Sequence, residues 1–86
     1  DRAAYIDPVI SQQAKERGNA LFKESRFPEA IKEYTEAIKR NPDDHTLYSN
    51  RAACYVKLNE YMLALQDCDQ CIKLKPDFGE QSLLFA

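Results

Sequence analysis

Eighty-six residues suffice for a single small domain, and 44% hydrophobic with 30% charged residues describes a folded chain rather than a disordered one. A net charge of −2 argues against a phosphate-backbone binder, and the lysines alternate with acids, so no nucleic-acid partner is expected. Apolar runs such as Leu83-Leu84-Phe85-Ala86 are far too short to span a bilayer, and Asp1–Tyr5 starts no signal core, so a cytoplasmic protein with no membrane partner is expected.

Residues 1–10 read as a leader that extends into a first helix, with Asp7 as N-cap and Pro8 at the first helical position. Tyr5 and Ile6 suit either a hydrophobic staple on that helix or a contact to a neighbour. A shift of thirty-four residues then aligns Lys23 with Lys57, Ala30 with Ala64, Ile38 with Ile72, Lys39 with Lys73, Pro42 with Pro76 and Asp43 with Asp77. The repeats are therefore 11–44 and 45–78, each with two helical patterns around a short turn.

In the first repeat Ala14, Gly18 and Leu21 mark one helix, with Gly18 small enough for a close approach. Pro28 opens the next helix, whose apolar face is Ala30, Ile31, Tyr34, Ala37 and Ile38. The second repeat runs in parallel, with Tyr48, Ala52 and Tyr55, then Ala64, Leu65, Cys68, Cys71 and Ile72. Pro42 and Pro76 end the second helix of each repeat. His45 is expected as an exposed turn residue, and Arg17 and Arg51 as structural partners of a carboxylate such as Asp67. Residues 79–86 are expected as a divergent tail or partial cap. With no alternating strand pattern anywhere, the fold class is all-α: two helix-turn-helix repeats in a short right-handed solenoid.

Three cysteines, Cys54, Cys68 and Cys71, fall within the helical patterns. One further His does not complete a four-ligand zinc set, so all three are expected as buried core thiols in a reducing compartment, and no metal or cofactor is expected. There is no Gly-rich phosphate loop and no nucleophile–base arrangement, so no catalytic residue is assigned and the chain is not expected to be an enzyme.

Helix spacing does outline a groove. Lys15 and Asn19 lie four residues apart on a face away from the Ala14/Gly18/Leu21 stripe, and Phe22 and Lys23 extend that face by a turn. The matching face of the second repeat carries Ser49, Asn50, Ala53, Val56 and Lys57. Ammonium and carboxamide groups over an apolar floor suit an extended peptide ending in a carboxylate.

The series Gly18, Leu21, Phe27, Ala30, Tyr34, Ala37, Pro42 and Ala52, Tyr55, Tyr61, Ala64, Cys68, Cys71, Pro76 resembles the tetratricopeptide repeat (TPR) family. The strings Lys15–Asn19, Tyr34–Pro42 and Leu47–Tyr55 are similar to its co-chaperone members, and with the leader they look like the last TPR module of Hop-type chaperone-organising proteins. The resemblance implies a carboxylate clamp for the Glu-Glu-Val-Asp terminus of heat-shock-70 or heat-shock-90 chaperones. Lys15, Asn19 and Asn50 fall on three clamp positions, and Phe22, Lys23, Ala53 and Lys57 join them as peptide-binding candidates.

The pattern breaks after Phe78. Where the resemblance implies Lys and Arg in a third repeat, this chain has Glu80 and Leu84. The clamp is then incomplete, and weak peptide binding is expected. The face around Leu65, Cys68 and Ile72 is expected to be partly bare. Leu83, Leu84 and Phe85 could cover it as a cap, or it could meet a second copy as a homodimer or helix exchange, in which case self-association rather than peptide binding is the main role.

Overall fold

The computed structural model describes residues 5–76. Within them are four helices: α1 (Pro8–Lys23), α2 (Phe27–Arg40), α3 (His45–Lys57) and α4 (Tyr61–Leu74). There is no strand among the described residues. Each helix packs on its neighbour in sequence, α1 on α2, α2 on α3 and α3 on α4, as expected for stacked helical hairpins. None of the described helices is long and apolar enough to cross a membrane.

Local chemistry accounts for the boundaries. Asp7 caps α1, its carboxylate accepting from the backbone N–H groups of Val9 and Ile10 at 3.1 and 3.2 Å, with Pro8 just inside. α1 thus begins three residues ahead of the thirty-four-residue frame. Asp44 caps α3 through the Thr46 N–H. α2 and α4 end at Arg40 and Leu74, ahead of Pro42 and Pro76.

The two hairpin turns are copies of each other. Ser25 N donates to Phe22 O at 2.9 Å and Arg26 N to Leu21 O at 2.9 Å. Thirty-four residues on, Asn59 N donates to Val56 O at 3.0 Å and Glu60 N to Tyr55 O at 2.8 Å. This paired closure of the last helical turn is the Schellman motif, and it needs one residue in the left-handed region. Ser25 and Asn59 take that role, each with φ of 61°.

The core is built from small residues around one aromatic. Ala14, Ala37 and Leu47 form one buried cluster, with Ile38 against it. Ala30, Tyr34 and Cys54 form another, flanked by Leu21, Phe22, Phe27 and Ile31. Ser11 adds a buried tie, its hydroxyl donating to Ala37 O at 2.8 Å across α1 and α2. Gly18 makes the close approach possible: a Cβ there would lie 2.7 Å from Tyr34 Cε1 and 2.9 Å from Cδ1.

Two sequence expectations change. Cys54 and Cys71 are buried, but Cys68 is exposed. Cys68 stands at the register of Tyr34; α3 and Cys54 cover Tyr34, whereas no described helix follows α4 to cover Cys68. His45 is not an exposed turn residue but the half-buried first residue of α3. Tyr5 lies under the guanidinium of Arg40, the last residue of α2, at 4.2 Å. Both arginines pair with a carboxylate as expected, Arg51 with Asp67 and Arg17 with Glu33.

Candidate functional site

The helical register sends Asn19, Phe22 and Lys23 to one side of α1 and Asn50 and Ala53 to the same side of α3. These five residues, together with Tyr34 from α2, line a pocket of about 280 Å³. Phe22 is held at its base by an edge-to-face contact with Phe27, ring centroids 5.2 Å apart.

The polar end of the pocket is one connected network. Tyr34 Oη donates to Asn19 Oδ1 at 2.6 Å, and Asn50 Nδ2 points to the same oxygen at 3.4 Å. Tyr34 is only 2% exposed, and burial, with Cys54 adding to it, pushes its pKa up to about 12, so the phenol stays a donor at any ordinary pH. Burial likewise pushes the Cys54 thiol up to about 11, which makes it an inert core group. No cluster of His, Cys, Asp or Glu among the described residues could hold a metal.

Lys15 and Lys57 do not line this pocket. Lys15 Nζ donates to Thr46 Oγ1 at 2.8 Å and lies 3.9 Å from Asp44 Oδ2, so its ammonium sits on the capped N-terminus of α3. That contact bridges the two repeats and leaves Lys15 half-buried. Lys57 is exposed at the end of α3. Among the residues considered for capping or self-association, Leu65, Cys68 and Ile72 are all exposed on α4, beside Tyr61 and Met62. Leu83, Leu84 and Phe85 lie outside the described residues, as do Glu80 and the tail 79–86.

Tyr34 is the pocket residue that sequence reasoning missed. Its apolar register places it in the core, where its ring does lie. The available signal was chemical: a buried phenol needs a hydrogen-bond partner, and Gly18 opposite it precedes Asn19.

Family profiles agree with this architecture. One described as "TPR repeat" matches residues 18–59, and one described as "Tetratricopeptide repeat" matches 46–78. The chain is 51% identical over 78 residues to Hsp70-Hsp90 organizing protein 3 of Arabidopsis thaliana, an alignment covering 91% of this chain and 14% of that protein. The chain therefore corresponds to a small part of this relative's length. Among solved structures, it matches the TPR2AB domain of yeast Sti1 in its pHSP90 complex with a TM-score of 0.85 and 41% identity, covering 87% of this chain and 29% of that one. The TPR2B domain of yeast Sti1 in its pHsp70 complex matches with a TM-score of 0.80 and 41% identity, covering 81% and 56%. The paired helices, the duplicated turns and these likenesses together make the chain a member of the tetratricopeptide repeat family, homologous to the TPR region of the Hsp70-Hsp90 organizing proteins.

Proposed function

We propose that this chain is a co-chaperone-type adaptor module that binds the acidic C-terminal peptide of heat-shock-70 or heat-shock-90 chaperones. The observation that carries this reading is the convergence of Asn19, Asn50 and Lys23 on one pocket with Phe22 and Ala53 beneath them. Carboxamides and an ammonium supply donors for carboxylate and peptide backbone, and the apolar floor accepts a side chain. Lys15 stands one helical turn before Asn19. In this reading its long side chain swings from Thr46 to a peptide carboxylate, exchanging one charge-assisted contact for another. The chain binds rather than catalyses, and it works in the cytoplasm like a chaperone assistant.

Glu80 and Leu84 replace two cations that the resemblance implies, so the clamp here is partial. Each charge-assisted hydrogen bond contributes roughly 1.5–3 kcal/mol, and about 1.4 kcal/mol is a tenfold change in affinity. Binding by this chain alone is therefore weakened about a hundredfold or more. Titration of the 86-residue chain with a peptide ending in Glu-Glu-Val-Asp, followed by NMR, tests both parts. Saturable shifts at Asn19, Asn50 and Lys23 at high peptide concentration are expected. No shift at those residues would overturn the function, and low-micromolar affinity would overturn the weakness.

A further inference from the structure

Three residues, Gly18, Asn19 and Tyr34, act as a unit. Because Gly18 carries no side chain, the Tyr34 ring lies against α1, closer than any Cβ would allow. That placement brings the phenol oxygen to 2.6 Å from Asn19 Oδ1, inside the pocket wall. A buried hydroxyl has one proton to give, and accepting from an amide instead would strand it. Donation to Asn19 therefore decides which way the carboxamide faces. Asn50 Nδ2, at 3.4 Å, points to the same oxygen and reinforces the choice. With Oδ1 so engaged, the Nδ2 group with its two N–H donors is what Asn19 has left for a ligand.

We infer that Tyr34 is a positioning residue of the groove, whose hydroxyl locks the Asn19 carboxamide so that the site offers N–H donors and selects a peptide ending in a free carboxylate over one ending in a neutral amide. This rests on the peptide-binding reading above. A flipped Asn19 would present its carbonyl, which repels a carboxylate and accepts from an amide. The phenol thus determines specificity without touching the peptide.

The test compares the intact chain with Tyr34→Phe, which removes one oxygen and keeps the ring. Two probe peptides ending in Glu-Glu-Val-Asp are titrated by NMR, one with a free C-terminal carboxylate and one with a C-terminal carboxamide. The wild type prefers the carboxylate form. Tyr34→Phe lowers affinity for that form about fivefold, the value of one neutral hydrogen bond, and leaves the carboxamide form within about twofold. Equal weakening of both forms, or no change in either, overturns the inference. In the free protein, the Asn19 side-chain amide resonances shift in Tyr34→Phe; unchanged resonances overturn it without any peptide. If the wild type binds neither peptide, the functional reading falls and the Asn19 resonances still decide the role of Tyr34. Should Tyr34→Phe unfold, Asn19→Ala replaces it: loss of the carboxylate preference supports the inference, and an intact preference overturns it.

Discussion

Arg17 and Arg51 hold the same register in the two repeats, and so do their partners Glu33 and Asp67. In the first repeat the pair meets through one contact, Arg17 Nε to Glu33 Oε1 at 3.0 Å, with the arginine side chain 53% exposed. In the second, Arg51 grips Asp67 with two parallel bonds of 2.8 and 2.7 Å, and the carboxylate side chain is 5% exposed. Those bonds outweigh the cost of burial and hold the Arg51 pKa above its already high ordinary value. An arginine and a carboxylate at the same register thus form a solvated surface pair in one hairpin and a nearly dry fork in the other. Such a pair carries more energetic weight where it is buried than where water screens it.

The largest expected effect breaks that comparison directly. Asp67→Ala strands a half-buried guanidinium and costs about 3 kcal/mol, while Glu33→Ala costs about 0.5 kcal/mol or less because water screens the pair. Urea unfolding midpoints of the two variants check this, and equal losses would show that burial does not separate the pairs.

Gly18 and its counterpart Ala52 give the next contrast. A methyl at Gly18 collides with the buried Tyr34 ring, whereas the register position facing Ala52 holds Cys68 in place of a phenol. Gly18→Ala is expected to destabilise by about 1–2 kcal/mol, with overpacking outweighing the gain in helix propensity. Thermal unfolding tests it, and a stabilised Gly18→Ala would refute the close approach.

The smallest effect lies in the turns. Ser25 and Asn59 share φ of 61°, but Asn tolerates that region better than Ser. Ser25→Gly should therefore stabilise by about 0.5–1 kcal/mol and Asn59→Gly by less. Paired denaturation curves read the difference, and a larger gain at Asn59 would reverse the ranking.

Much of the architecture was legible before any coordinates. The thirty-four-residue identity, the Asp7-Pro8 cap and the small residues of each face are local or periodic signals, and the helices follow them. Asn19, Phe22 and Lys23 share a helix face by register, as do Asn50 and Ala53, and the packing of the two repeats brings both faces to one pocket. Lys15 was harder: register gives its face but not the competing acceptors Thr46 and Asp44, which come from the other repeat. Periodicity likewise assigns Tyr34 and Cys68 to equivalent apolar faces and says nothing of which face receives a following helix. Tyr34 escaped notice as a groove residue because its ring belongs to the core and only its oxygen to the site.

Arg51 makes one more contact, donating from Nη1 to Thr35 Oγ1 on α2 at 3.1 Å. The same guanidinium therefore closes the second hairpin and fastens it to the first. In a linear array, where stability is a sum of unit and nearest-neighbour terms, such a shared group feeds both at once. Melting of either hairpin releases the coupling that holds its neighbour, so loss of one lowers the stability of the other.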